Sequence, residues 1–296
     1  MNFPPRDFEQ LRQVVILLRQ GDLELPIGKK ILQGLELMIN DPELVATSNI
    51  VELSKWALLS PASITRLSKL LGFQGFNKFR IVFKQKSKLP NDFYSDGVKR
   101  LIENKTTSAK ELLTQQLTMV KENIERCIEN TNEADLLLAS SLLAKKHRIF
   151  IFGHRQSSAI ANVLRYGLAL IRLNVQMLVQ ADHGVAIALG QLKKGDLLVV
   201  IGSSPYSNIT VKIMSLAHQQ GCQILAITDS ELSPLCESAA VALQIPTAGQ
   251  FYANSTVAST FIIEGLLCLT AKQLGQVAVY NLQRHEVLLS HLNVAT

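Results

Sequence analysis

Two hydrophobic rhythms divide the chain. Up to about residue 90, apolar side chains recur every three or four positions, the spacing of amphipathic helices. Residues 8–20 (FEQLRQVVILLRQ) carry the first such segment, broken by Gly21 and Pro26, and residues 28–39 the second, stopped by Asn40-Asp41-Pro42. Residues 49–57 and 60–71 predict two short helices separated by about three residues, with Gly72 ending the second, and Phe79–Lys86 predicts another. After residue 147 the rhythm changes to short apolar runs at 148–152, 175–179, 197–201, 223–227 and 241–245. Helical segments at about 156–172, 184–192, 207–220 and 253–274 alternate with them. Alternating helices and near-continuously apolar strands predict a parallel sheet covered on both faces.

The fold class expected is therefore an all-α helix-turn-helix domain over 1–90, then an α/β domain over 131–276 with a five-stranded parallel, flavodoxin-like sheet. Residues 90–97 (PNDFYSDG) mark the boundary. Residues 91–130 form a linker and connecting helix, whose apolar face (Leu112, Leu113, Leu117, Val120, Ile124, Ile128) suits pairing with a second copy. Residues 277–296 are expected as a tail. In such a sheet ligands bind beyond the carboxyl ends of the strands, which points to Gly153–Ser158, Gly202–Ser207 and Thr228–Ser230.

Charge sharpens the division. Residues 1–90 hold 13 Lys and Arg against 8 Asp and Glu, whereas residues 91–296 hold 17 against 16. From Leu53 to Asn91 there is no acid and there are eight bases. An acid-free basic segment around two short helices suits phosphate contact and base reading, although a basic helical pair also suits docking to a protein. Cys127, Cys222, Cys236 and Cys268 show no metal-ligand spacing, so no metal and no cofactor are expected. No apolar run reaches the roughly 18–20 residues of a membrane span. The chain reads as cytoplasmic, with reduced thiols.

Within the basic segment, Ser60 is an N-cap and Pro61 suits the first helical position. Ile64, Leu67 and Leu71 share one face, to pack on Ile50, Leu53 and Trp56. Ser63, Thr65 and Arg66 then stand nearest bases, with Arg66 able to bond guanine O6 and N7 bidentately. Lys69, Lys78, Arg80 and Lys84 fit phosphates.

The run Ile50–Phe79 (IVELSKWALLSPASITRLSKLLGFQGFNKF) resembles the helix-turn-helix of RpiR-type transcriptional regulators, above all in its Gly-Phe-x-Gly-Phe piece at Gly72, Phe73, Gly75 and Phe76. That resemblance, covering about residues 25–275, implies a C-terminal SIS (sugar-isomerase-type) domain that binds phosphosugars. It also implies a double-stranded operator as partner and a homodimer or homotetramer. Laid against the family's two serine loops, Gly153, Ser157 and Ser204 are retained and Ser207 stands for a threonine. Arg155 replaces a glycine, Gly202 a serine and Pro205 a glycine. Such altered loops resemble a subset associated with inositol or other polyol catabolism, which leaves a polyol or acid open beside a phosphosugar. The effector-binding set is Gly153, Arg155, Ser157, Ser158, Ser203, Ser204 and Ser207, with His183 after the second strand. Thr228 and Asp229 are read as helix caps.

SIS domains also occur in aldose–ketose isomerases, whose chemistry needs a general base and an acid. Glu264 and His154 are the candidates here, and Glu264 reads as a surface residue. The sequence therefore favours a regulator with no catalytic residues over an isomerase or a carbohydrate-sensing docking module.

Overall fold

A computed structural model describes residues 4–5, 7–86, 93–103, 108–178, 184–249 and 252–294. The chain divides into two compact units, 1–103 and 104–296.

The first unit is helical: α1 Phe8–Gln20, α2 Lys29–Asn40, α3 Pro42–Thr47, α4 Ile50–Trp56, α5 Pro61–Leu70, α6 Phe76–Lys86 and α7 Phe93–Glu103. Each boundary has a local cause. Asp41 caps α3 through Leu44 N–H, with Pro42 in the first turn, where its missing N–H costs nothing. Asn49 and Glu52 form a reciprocal capping box on α4. Ser60 accepts from Ser63 N–H at the head of α5. Gly72 (φ 81°) and Gly75 (φ 146°) take the left-handed backbone that lets the chain leave α5 and enter α6. Between them Phe73 turns inward, and Phe73, Phe79, Phe83 and Phe8 form a chain of edge-to-face rings with centroids 4.9–5.7 Å apart. Leu35, Met38, Leu53, Ile64, Leu67 and Leu71 complete the core.

The second unit begins with α8 Ala109–Asn130 and α9 Glu133–Lys145, then alternates β1 Ile149–Gly153, α10 Ser157–Ile171, β2 Val175–Met177, α11 Gly184–Gly190, β3 Leu197–Ile201, α12 Asn208–Gln219, β4 Gln223–Thr228 and β5 Val241–Gln244. It closes with α13 Val257–Leu274 and α14 Gln276–His291. All five strands are parallel, in the order β2-β1-β3-β4-β5, with Ile149 opposite both Val175 and Leu197. Strand parity sorts the two faces. Ile149, Ile151, Leu197, Val199, Leu225 and Ile227 pack with α8, α9, α10, α13 and α14. Phe150, Phe152, Leu198, Val200, Ile224 and Ala226 pack with α11 and α12. By length and composition α13 could cross a membrane, and one face of it, carrying Ala258, Ile263 and Leu266, packs into this core.

Two arginines fasten the edge of the sheet opposite the strand ends. Arg148 holds Asp196 through both carboxylate oxygens, with Nε to Oδ1 at 2.9 Å. Arg172, 8 % exposed, donates to the carbonyls of Leu143, Ala144, Lys146 and His147, closing the end of α9. Burial pulls its guanidinium below the ordinary arginine range.

The structure departs from the sequence expectation in places. α3, α7 and α14 form where a stop, a boundary and a tail were expected. The expected linker divides, α7 falling in the first unit and α8 in the second. α6 starts at Phe76, a turn's breadth earlier than the apolar spacing implied. His183 and the end of the second expected strand lie outside the described residues.

Replacing Arg172 should be costly, because it strands buried carbonyls. Arg172→Ala is expected to lower unfolding free energy by about 2–4 kcal/mol. Arg172→Lys should recover only part of it, since one ammonium cannot match the four separate carbonyls of Leu143, Ala144, Lys146 and His147. Urea denaturation of the three proteins checks both expectations.

Candidate functional site

The first candidate surface is the outer side of α5. Ile64, Leu67 and Ser68 bury the inner side, Arg66 and Lys69 are exposed, and Ser63 and Thr65 are half-buried between them. The hydroxyls near the helix start are partly engaged: Ser63 Oγ lies 2.8 Å from Ser60 Oγ, and Thr65 Oγ1 donates to Pro61 O at 3.0 Å. Thr65 Oγ1 has thus given its proton to the helix and keeps only acceptor capacity, and Arg66 carries the donors. The turn before α5 passes through Leu58 in a left-handed conformation (φ 54°), 72 % exposed. Lys78 is exposed on α6. Arg80 stands apart from the other bases. Its Nη1 donates to Ser48 O at 3.0 Å and its guanidinium lies 5.5 Å over the Phe76 ring, tying α6 to the end of α3.

The second candidate is a cleft of about 350 Å³, counting its open mouth, at the carboxyl ends of the strands. It sits where the strand order reverses between β1 and β3, so α10 and α12 leave toward opposite faces and open a gap between the two turns. Ile160, Ile201, Ile227 and Ile245 supply apolar walls. Gln156 and Ser157 enter from the first loop, Gly202 and Ser203 from the second. Gly153 makes the first loop possible through close approach. A Cβ there would stand 2.3 Å from Ser157 O and 2.7 Å from Ser157 C, both backbone atoms that cannot rotate away.

The sequence-derived residues separate on this geometry. Ser157 and Ser203 line the cleft. Ser158 turns back to donate to Arg155 O at 2.7 Å. Arg155 is exposed and left-handed (φ 56°), a conformation that suits the glycine it replaces. Ser204 N–H and Tyr206 O–H both donate to Asp229, at 3.2 and 2.6 Å, and the Ser204–Pro205 peptide is cis. Ser207 Oγ pairs with His154 Nδ1 at 2.8 Å. Asp229 thus stitches the second loop to β4 instead of capping a helix, while Thr228 Oγ1 donates to Ser233 Oγ at 2.7 Å. Glu264 is exposed on α13 and does not line the cleft.

The cleft also has walls the sequence reading passed over: Thr247, Asn254, Ser255, Thr256 and Ser259. Asn254 is the clasp of the site. Its Nδ2 donates to Ser203 Oγ (2.8 Å) and Ser204 O (2.7 Å), and its carbonyl accepts from Gln156 Nε2 (2.8 Å), joining three loops. The signal is present in the sequence as Asn254-Ser255-Thr256 directly ahead of an apolar run, but the expected helix at about 253–274 absorbs those residues into its first turn, whereas α13 starts at Val257.

A helical DNA-reading type of unit joined to a sugar-isomerase type of α/β unit is the class this architecture defines. The SIS-domain family profile matches residues 142–269, and the profile of the helix-turn-helix domain of the rpiR family matches residues 29–88. The chain belongs to the RpiR family of helix-turn-helix regulators. An HTH-type transcriptional regulator of Haemophilus influenzae is 25 % identical over 76 % of this chain and 77 % of its own length. The bifunctional protein glk of Paraburkholderia xenovorans is 25 % identical over 80 % of this chain but only 35 % of its own length. Among solved structures, the sugar isomerase domain of an RpiR transcription factor from Sphaerobacter thermophilus has a TM-score of 0.57 at 24 % identity, over 60 % of this chain and 98 % of its own. The NanR protein of Vibrio vulnificus, complexed with ManNAc-6P, has a TM-score of 0.55 at 17 % identity, over 94 % of this chain and 98 % of its own.

If Arg80 braces α6, Arg80→Ala should destabilise the helical unit by about 1–3 kcal/mol, the worth of a charge-assisted hydrogen bond to a carbonyl. Lys78→Ala, an exposed change, should stay within about 0.5 kcal/mol. Thermal unfolding of the two variants separates a brace from a surface charge.

Proposed function

We propose that this protein is a DNA-binding transcriptional regulator of carbohydrate catabolism, with α5 as the reading helix and the strand-end cleft as the seat of a carbohydrate-derived effector. The observation that carries the reading is α5 itself: a capped helix, anchored by Ile64 and Leu67, with Arg66 and Lys69 outward in a stretch free of acids. Ser63, Thr65 and Arg66 reach base edges, and Lys69 and Lys78 hold phosphates. Arg80 contributes to this surface chiefly by holding α6 in place.

The effector cleft is supported by its position at the switch point and by walls of hydroxyls and amides. Gly153, Ser157, Ser203 and Asn254 shape it directly, whereas Arg155, Ser158, Ser204 and Ser207 shape the loops around it. NanR, bound to ManNAc-6P, supports a sugar phosphate or a related polyol or acid as the effector class. Among the described lining residues there is no His, Glu, Asp, Lys or Arg, so sensing is favoured over isomerisation, which needs such groups. The exposed apolar side chains of α8 and α14 (Leu113, Leu117, Tyr280 and Val287 among them) support a homodimer or homotetramer that places two reading helices on one operator. This reading keeps the chain in the cytoplasm beside the chromosome.

Binding to the DNA upstream of the protein's own gene should weaken steeply as salt rises. Arg66→Ala is expected to cost about 1–3 kcal/mol on that site and little on random DNA. Lys69→Ala should weaken both alike and lower the slope of log affinity against log salt by about one. Gel shifts at several salt concentrations read all three, and equal affinity for operator and random DNA in the wild type would refute the reading.

A further inference from the structure

The chain between β5 and α13 has two sets of partners. Through Thr247, Asn254, Ser255 and Thr256 it lines the cleft, and Asn254 clasps the first and second loops. Through Ala248 it meets α8, because Ala248 O accepts from Asn123 Nδ2 at 2.6 Å, across 125 positions of sequence. The two ends are tied together. Ser255 N–H donates to Thr247 O at 2.9 Å, so the cleft wall is bonded to the residue next to Ala248.

α8 packs through one end. Asn123 and Cys127 are its buried residues, and Ile124 packs beside them on the core. Among the described residues of 109–122 none is buried. At about 1.5 Å per residue, that outer part reaches roughly 20 Å from Asn123. It is also the part nearest in sequence to the helical unit, which ends at residue 103. A small rotation at the packed end is therefore enlarged along the helix. Asn123 is only 2 % exposed. An amide buried beside a core needs a partner, and Asn123 Nδ2 takes one from the cleft-lining chain. Asn123 is not among the described residues lining the cleft.

We propose that Asn123 is the positioning residue through which occupancy of the cleft is passed to α8. A ligand bearing on Thr247, Asn254 and Ser255 shifts the chain between β5 and α13. Ala248 O moves with it, and Asn123 turns the packed end of α8. This rests on the cleft being the effector site. It adds the route by which binding leaves that site, through a helix that need not touch the ligand.

The test is hydrogen exchange of the full chain, read by mass spectrometry with and without a saturating probe. Glucose 6-phosphate, 6-phosphogluconate and myo-inositol are first titrated by calorimetry, and the tightest binder is the probe. In the wild type the probe should slow exchange at 252–256 and change exchange across 109–122 by at least about threefold. Asn123→Ala should bind the probe within about threefold of wild type and still slow 252–256, while the change across 109–122 disappears. Asn123→Leu, close to asparagine in shape, should behave alike and decides the matter if Asn123→Ala does not fold. A clamp that is only structural would lower the melting temperature of both variants and leave the change across 109–122 at its wild-type size. That result overturns the proposal. So does a wild type whose exchange across 109–122 ignores a bound probe. A wild type that binds none of the three probes overturns the cleft reading and this proposal with it. Operator binding is measured separately, and its failure counts against the regulator reading alone.

Discussion

Burial of the sheet on both faces is the constraint on which the second unit depends. Five parallel strands of mostly apolar residues cannot face water on either side. A covering helix then follows β1, β2, β3 and β5, with only the short turn Pro234–Cys236 after β4, and every turn that leaves a strand falls on the same edge. That places the first and second loops and the start of α13 around one cleft without any residue being selected to meet another. The reversal of order between β1 and β3 opens the gap. Chemistry then enters through what the turns carry, which here is hydroxyls and amides above isoleucine walls.

The helical unit is organised by a different device. Its elements are short, and α3 and α4 would be marginal alone. Caps at Asp41, Asn49 and Ser60 set where each begins, and the ring series from Phe8 to Phe83 holds them together. The consequence for function is rigidity behind α5. On the proposed reading of α5 as the base-reading helix, its side chains need delivery from a fixed backbone, and the buried Ile64, Leu67 and Leu71 provide it.

Much of this was legible in the sequence because the signals are local. Apolar spacings of three and four, short continuous apolar runs, Ser60-Pro61 and the Gly-Phe-x-Gly-Phe piece each report on a few neighbouring residues. What escaped was either ambiguous or long-range. Asp41-Pro42 reads equally as a stop for one helix and as cap and first residue of the next, and the structure uses it as the latter. α14 lacks a sharp apolar stripe, yet Asn281 of that helix donates to Ile171 O and Ala278 is buried in the core. Within the site, serine loops at strand ends were readable as loops, but not which hydroxyl faces the cleft. Ser157 and Ser203 do so, whereas Ser158 is turned into its own turn. The pairings of Asp229 with the second loop and of Asn254 with three loops join residues 23 to 98 positions apart, which no local spacing encodes.

The proposed function requires two chemically distinct surfaces, a base-reading helix and a strand-end cleft, to act on one equilibrium. Linkage makes that requirement measurable. Operator affinity is determined by fluorescence anisotropy with and without a saturating ligand of the cleft, and ligand affinity is determined with and without operator. Coupling predicts that the two ratios are equal and exceed about fivefold. Two ratios of one, with both partners bound, would contradict it.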